Sequence, residues 1–134
     1  MELDEVWSFV QAKAKERWLW LAMCRRTRQI VAFFVGDQSG AGARALRAAL
    51  PRGYRARRTR SDTWRAYKAV FDPYRHQSVG GWAGATNHQE RWNLTLRQRL
   101  GRFVRKTLSF SKCEAMHHAA IALYIHAHNL SVVT

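Results

Sequence analysis

The chain has 134 residues, 23 of them Lys or Arg and 9 of them Asp or Glu, which gives a formal net charge of +14 at pH 7. A hydrophobic content of 47% with six tryptophans excludes a disordered basic tail and is enough for the core of one domain. The sequence has no run of about 18 apolar residues that could span a membrane, and its two cysteines are too few for a disulfide framework. The excess of positive charge favours nucleic acid as the partner over a membrane surface.

Three apolar segments at the start of the chain predict three strands. Leu3–Val10 alternates between two faces, with Asp4 and Val6 on the same one, while Trp18–Cys24 and Ile30–Val35 are continuous apolar runs. The connectors, residues 11–16 and 25–28, are short and polar. This pattern predicts an antiparallel three-stranded meander.

Shorter elements follow the meander. Ser39 is expected to cap a helix that ends at Leu50, with Ala43 and Leu46 on its buried stripe. The pattern then predicts a weak strand over Tyr54–Ser61, a short helix over 63–71 and a strand over 76–79.

Two helices are predicted to close the chain. The first runs from Asn87 to Val104. The second begins with a capping box at Ser111–Glu114 and continues to His128. The first has a buried stripe of four residues, Leu96, Leu100, Phe103 and Val104. The element order is that of a ribonuclease-H-like α/β fold: a mixed five-stranded sheet, made of the meander and two further strands, flanked by helices. We expect a single domain over residues 1–134.

Three acidic residues lie where a metal-dependent nucleic-acid enzyme would need them. Asp4 lies inside the first strand, Asp62 follows an arginine-rich segment, and Glu90 opens the first closing helix. Arg97, seven residues after Glu90, lies on nearly the same side of that helix. Carboxylates of this kind hold Mg²⁺ over a phosphodiester, and a guanidinium can neutralise the phosphate.

The residues alone also allow a structural role for each of these four side chains. Asp4 is near enough to the terminus to lie on a frayed, exposed end. Asp62 is placed to cap the following helix, and Glu90 could close a capping box with Asn87 while Arg97 is solvated. Glu5, on the other face of the first strand, is interpreted as a surface charge.

A basic ridge on the first closing helix and beyond it is suited to the DNA backbone. The residues predicted to contact DNA are Arg91, Asn93, Arg102, Arg105, Lys106 and Lys112. Trp82 and Trp92 are placed to stack on bases, whereas Trp18 and Trp20 are expected in the core. Cys113 and His117, spaced i, i+4, leave open a less favoured zinc site that would need further ligands such as Cys24.

Three blocks of sequence resemble the transposase of the insertion-sequence-one family, in its catalytic, second-reading-frame part. They are LDEVW at Leu3–Trp7, SDTW at Ser61–Trp64 and ERWNLTLRQRLGRFVRKTLSFSK at Glu90–Lys112. The resemblance covers nearly the whole chain. It implies a ribonuclease-H-like domain with a DDE triad, in which Asp4, Asp62 and Glu90 bind the metal and Arg97 accompanies the glutamate.

The same resemblance implies an activity and its partners. The enzyme would use two Mg²⁺ ions, with Mn²⁺ as a substitute, to cut double-stranded DNA at the terminal inverted repeats of the element and join the ends to target DNA. It would act as a homo-oligomer, in the prokaryotic cytoplasm and associated with the nucleoid. The family's N-terminal zinc finger and helix-turn-helix are absent from this sequence, so an upstream-frame partner or fusion is expected to supply them.

Two alternatives remain at this level. The first is a catalytically inactive or truncated DNA-binding relative, and the second is a ribonuclease-H-like nuclease that hydrolyses DNA without strand transfer. Three departures from the family pattern bear on them. The segment before Asp62 is rich in arginine, Gly81 stands where a lysine is common, and Gln89 stands where an aliphatic residue is common.

Overall fold

The computed structural model describes residues 1–55, 57–61, 67, 70–71, 75–78, 87–99 and 113–133. The strands are β1 (Glu2–Val10), β2 (Ala12–Met23), β3 (Ile30–Gly36), β4 (Thr59–Ser61) and β5 (His76–Ser78). The helices are α1 (Gly40–Ala49), α2 (Arg52–Arg55), α3 (Asn87–Arg99) and α4 (Glu114–Val133). The predicted mixed α/β architecture is confirmed.

The sheet has the strand order β3-β2-β1-β4-β5, with β1 at its centre. β1, β2 and β3 pair antiparallel, as predicted for the meander. β4 pairs in parallel with β1 on one side and with β5 on the other. The sheet is therefore mixed, and the start of β1, where Glu2 pairs with Arg60, has a strand on both sides.

The connector predicted between the first two strands is wrong. β2 begins at Ala12, and the chain reverses around Gln11, which has a φ of 65°. Glu16 pairs with Phe9, although its side chain is exposed. Backbone pairing does not require a buried side chain, so the hairpin extends past the core where the hydrophobic pattern gives no signal.

The strand predicted over Tyr54–Ser61 is also wrong for most of its length, because α2 occupies Arg52–Arg55 and β4 starts only at Thr59. Arg55 caps the C-terminal end of α1. Its Nε and Nη2 donate to the carbonyls of Leu50 and Ala48, at 3.1 Å each, at the end of α1. These carbonyls lack partners inside the helix, so a cation there is favourable. Of the arginines before Asp62, Arg60 lies in β4, whereas Arg55, Arg57 and Arg58 precede the strand.

Each face of the sheet carries a hydrophobic cluster. On one face Leu3 and Trp20 pack with the α1 stripe Ala43, Leu46 and Leu50, as the sequence predicts. On the other face a second cluster gathers residues of β1, β2, β3, α3 and α4. Its fully buried members include Val6, Leu19, Leu21, Leu96 and Ile121. Because Asp4 and Val6 are two residues apart on β1, Asp4 lies on the α3 face.

The closing helices partly match their predicted bounds. α4 continues to Val133, beyond the predicted end at His128. Leu96 is buried as predicted, whereas Leu100, Phe103, Val104, Ser111 and Lys112 lie outside the described residues. The same holds for most of the short helix predicted over 63–71. Of the helices described, none combines the length and the hydropathy needed to span a bilayer.

Candidate active site on the central strand

Asp4 is a half-buried carboxylate in the middle of the sheet. Its Oδ1 accepts a hydrogen bond from the backbone N–H of Glu5 at 2.9 Å, and its Oδ2 accepts one from Asn93 Nδ2 at 2.7 Å. The frayed, exposed position considered for Asp4 is therefore wrong. The side chain is held on the face of the sheet that α3 covers.

A second contact fixes α3 against β1. The backbone N–H of Gln89 donates to Glu2 Oε2 at 2.7 Å. Glu2 and Asp4 are two strand residues apart, roughly 6.6 Å, and Gln89 and Asn93 are four helix residues apart, roughly 6 Å. The repeat of the strand thus matches the rise of one helical turn, so both contacts can form together.

Glu2 is fully buried because it has partners for its charge. Gln89 lies in the first turn of α3, where backbone N–H groups have no acceptor inside the helix and where the helix dipole favours an anion. Arg25 Nε lies 3.1 Å from the other carboxylate oxygen of Glu2. These contacts offset the cost of burying the carboxylate.

Asn93 links the two ends of this polar network. It is only 4% exposed, and its Oδ1 accepts a hydrogen bond from Gln89 Nε2 at 2.9 Å. Its Nδ2 is the donor to Asp4. The amide predicted to contact DNA is therefore turned inward and engaged on both sides, where it orients the Asp4 carboxylate.

Glu90 and Arg97 lie beside this network on α3, and both side chains are exposed. Glu90 is one turn before Asn93, a spacing that brings side chains to within roughly 5–6 Å at Cβ. At ~100° per residue, Glu90 and Arg97 point within about 20° of each other. The fold thus brings Asp4, Glu90 and Arg97 to one side of the sheet. Asp62 lies outside the described residues, next to Ser61 at the end of β4.

The remaining residues predicted to meet DNA divide into two groups. Arg91 is exposed on α3, consistent with its prediction. The other four, Arg102, Arg105, Lys106 and Lys112, lie outside the described residues, as does Trp82. Trp92 was predicted to stack on bases but is 5% exposed and packs edge-on against Tyr124, with ring centroids 5.6 Å apart. It belongs to the core.

Glu5 is not the free surface charge that the sequence predicts. It is half-buried on the opposite face of β1 from Asp4, and it accepts a hydrogen bond from the Tyr67 hydroxyl at 2.5 Å. It therefore links Tyr67 to the sheet.

The histidines and cysteines do not assemble the alternative zinc site. His117 is buried against Ser8 Oγ at 2.9 Å, Cys24 is buried at the end of β2, and Cys113 is exposed. Within the described parts of the chain, no three His, Cys, Asp or Glu side chains lie close enough to hold a metal ion. With Asp62 outside the described residues, this does not test the acidic triad.

Residues 1–131 match the sequence model of the family described as IS1 transposase. The chain belongs to the IS1 transposase family. This confirms the resemblance carried by the three sequence blocks.

Individual relatives in the family align over nearly the whole chain. The chain is 35% identical over 127 residues to "Insertion element iso-IS1n protein InsB" of Shigella dysenteriae, an alignment covering 95% of this chain and 94% of the relative. It is 35% identical over 124 residues to "Insertion element IS1 protein InsB" of Shigella flexneri, covering 92% of each. "Insertion element IS1 4 protein InsB" of Escherichia coli (strain K12) is 34% identical, with 92% of this chain and 72% of the relative covered. No solved structure matches the chain.

Two residues of the polar network around Asp4 were not predicted from the sequence. Glu2 has no predicted role, and Gln89 is noted only as a departure from an aliphatic position. Both are fully buried. The spacing from Glu2 to Asp4 matches the spacing from Gln89 to Asn93. This match predicts paired contacts only once α3 is known to lie along β1.

Proposed function

We propose that this chain is the catalytic domain of a DDE transposase, which cleaves DNA at the terminal inverted repeats of an insertion sequence and transfers the strands to target DNA. The observation that carries the proposal is the hydrogen bond from Asn93 to Asp4. It holds a carboxylate of the central strand on the side where α3 presents Glu90 and Arg97. Membership of the IS1 transposase family supports the same reading.

The proposed metal ligands are Asp4, Asp62 and Glu90, and their chemistry suits Mg²⁺, with Mn²⁺ as a substitute. Carboxylate oxygens are the hard ligands that Mg²⁺ prefers. The parallel register pairs Glu2 with Arg60. In the sequence, Asp4 follows Glu2 by two residues and Asp62 follows Arg60 by two residues. Two bound ions would supply Lewis-acid stabilisation of the attacking and leaving oxygens.

The other residues of the site act on the DNA itself. Arg97 neutralises charge on the scissile or an adjacent phosphate. Arg91, together with the predicted basic residues at 102, 105, 106 and 112, holds the flanking backbone without reading sequence. Recognition of the element ends belongs to a zinc-finger and helix-turn-helix region, as a partner or a fusion, and the active form on DNA is a homo-oligomer. The strand order of the sheet, with helices on both faces, supports the ribonuclease-H-like fold.

The triad is tested by removing one charge at a time. Asp4→Asn, Asp62→Asn and Glu90→Gln are expected to lower Mg²⁺-dependent cleavage and joining of end-bearing DNA by at least about 10³-fold, since each deletes a metal ligand. DNA affinity measured in EDTA should persist. Glu16→Gln, at an exposed position of the β1–β2 hairpin, is the matched control and should retain activity.

The outcomes separate the alternatives. Unchanged cleavage and joining by Glu90→Gln would exclude the triad. DNA binding without any Mg²⁺-dependent chemistry in the unmodified chain would indicate a non-catalytic relative. Hydrolysis that never joins pre-cut ends to target DNA would indicate a nuclease.

A further inference from the structure

A groove of about 570 Å³ lies between α3, α4 and the turn that joins β2 to β3. We name it the α3–α4 groove. Its wall includes three arginines, Arg28 from the turn and Arg91 and Arg99 from α3, together with Tyr124 and Ser131 from α4. Its volume is in the range of sites that take ligands the size of a nucleotide.

The electrostatics of the α3–α4 groove are one-sided. Among its lining residues in the described parts of the chain there are three arginines and two histidines, and no carboxylate. A cleft lined with one sign of charge concentrates the field and attracts a ligand of the opposite sign. Burial raises the pKa of Tyr124, so its phenol remains protonated and able to donate at neutral pH. The groove therefore favours an anion with several acceptor oxygens.

The turn that carries Arg28 is fixed to α4 by three hydrogen bonds. His128 Nε2 donates to the Arg28 carbonyl at 2.8 Å. The Asn129 side chain accepts from the Ile30 N–H at 2.8 Å and donates to the Ile30 carbonyl at 2.9 Å. Arg28 itself has a φ of 64°, and its N–H bonds the Cys24 carbonyl at 2.8 Å, which closes the turn. This wall of the groove is therefore pre-organised.

Arg28 provides an independent sign that a ligand is expected. Its Nη1 is buried and has no hydrogen-bond partner among the residues that the structure describes. An unpaired buried donor on a charged group is costly, and an anion would satisfy it.

The α3–α4 groove is distinct from the side of α3 that faces Asp4. Arg91, Thr95 and Arg99 follow one another at four-residue intervals and form one stripe. At ~100° per residue this stripe lies about 100–180° around the helix from Glu90 and Arg97. One helix thus presents two surfaces, with Glu90 and Arg97 on one side and a stripe of two arginines and a threonine on the other.

We propose that the α3–α4 groove binds a phosphodiester of the DNA backbone, at a site separate from Asp4 and Glu90. The inference rests on the proposed function in that DNA is the partner. It adds Arg28 and Arg99 to the DNA-contacting residues and gives Arg91 a defined location. Because the groove offers guanidinium groups and no base-specific arrangement, it binds any sequence.

The test is a salt titration of binding to a short fluorescein-labelled duplex that lacks terminal repeats, read by anisotropy in EDTA. Arg28→Ala and Arg99→Ala are each expected to weaken binding roughly tenfold and to reduce the slope of log affinity against log salt by about 0.9, the value for one phosphate contact on B-DNA. Arg44→Ala is the matched control, since Arg44 is exposed on α1 at the other face of the sheet. It loses the same charge and should leave the slope unchanged.

Arg99 is exposed on α3, so its variant keeps the test valid if the Arg28 variant disturbs the turn. Thermal melting checks that each variant is folded. The proposal would be overturned if Arg28→Ala and Arg99→Ala changed DNA affinity and salt slope no more than Arg44→Ala does. It would also be overturned if these variants changed the sedimentation mass and left DNA affinity unchanged, because the groove would then contact a second copy of the chain. EDTA removes catalysis from the measurement. If the groove does not bind DNA, the Arg28 and Arg99 variants bind DNA normally in EDTA, whereas if the acidic triad is wrong, its variants cleave and join DNA normally in Mg²⁺.

Discussion

Asn93 Nδ2 donates a hydrogen bond to Asp4 Oδ2 over 2.7 Å and so joins the central strand to α3. The two residues are 89 positions apart in the chain. Asn93 is itself held by Gln89, whose backbone N–H is bound by Glu2. The direction of the Asp4 carboxylate is therefore set by a network that spans both elements.

The first prediction concerns Asn93. Asn93→Ala removes the donor that orients Asp4, and loss of an outer partner of a metal-binding carboxylate typically costs about 10–100-fold in metal affinity or activity. We expect the Mg²⁺ concentration for half-maximal cleavage to rise by that factor. Gln98→Ala, at an exposed α3 position, should have the Mg²⁺ dependence of the unmodified protein. An unchanged Mg²⁺ dependence in Asn93→Ala would show that Asn93 does not position a ligand.

The second prediction concerns the buried Glu2. Glu2→Ala leaves the Gln89 N–H without its acceptor and Arg25 without its counter-charge, so the free energy of unfolding should fall by about 2–3 kcal/mol. Glu2→Gln keeps one acceptor oxygen and should cost less. Urea unfolding curves measure both, with Glu16→Ala as an exposed control expected within about 0.5 kcal/mol of the unmodified protein. Equal stability of Glu2→Ala and Glu16→Ala would contradict the capping role.

The third prediction concerns the close approach of α1 to the sheet. A Cβ added at Gly42 would lie 2.5 Å from Trp20 Cε2, and Trp20 is fully buried with its Nε1 donating to the Asp37 carbonyl. Gly42→Ala should therefore destabilise the protein by about 1–3 kcal/mol, despite the better helix propensity of alanine.

Gly53→Ala is the matched control for that change. A Cβ at Gly53, in α2, meets no atom within 4 Å, so this variant should be neutral or slightly more stable. Thermal unfolding of the two variants gives the comparison. A Gly42→Ala protein as stable as Gly53→Ala would show that α1 can shift away from Trp20 without cost.

The fourth prediction is a pH dependence of stability. Burial raises the pKa of Cys24, but hydrogen bonds from Thr27, the Arg26 backbone and Tyr54 outweigh it and lower the pKa to about 7 from a usual 9.0. Between these values the unfolded chain keeps a proton that the native thiolate has lost, so the free energy of unfolding should rise with pH, by up to about 2–3 kcal/mol. This stability should be lost as the pH falls through 7.

Urea unfolding at several pH values tests this, with Cys24→Ser expected to flatten the rise. Cys113→Ser, at an exposed thiol, should leave it intact. A Cys24→Ser protein with the same rise between pH 7 and 9 would assign the effect to another group.

Local patterns predicted the elements that carry their own signal. The continuous apolar runs of β2 and β3 and the α1 stripe ending at Leu50 need no information from elsewhere in the chain. The hairpin beyond Phe9 and the helical turn at Arg52–Arg55 were missed, because strand pairing of exposed residues and capping of α1 by Arg55 leave no periodic trace.

The sequence by itself determined the cationic character, the α/β class with its antiparallel meander, and membership of a transposase family, because composition, hydrophobic period and motif spacing are properties of short stretches of chain. Only the tertiary structure decided that Asn93 faces Asp4 rather than DNA, that Glu2 caps α3, and that Arg28 and Arg99 line the same groove. These contacts depend on how α3 and α4 pack on the sheet. The packing joins residues that are far apart in the sequence, so no local pattern predicts that they lie close together.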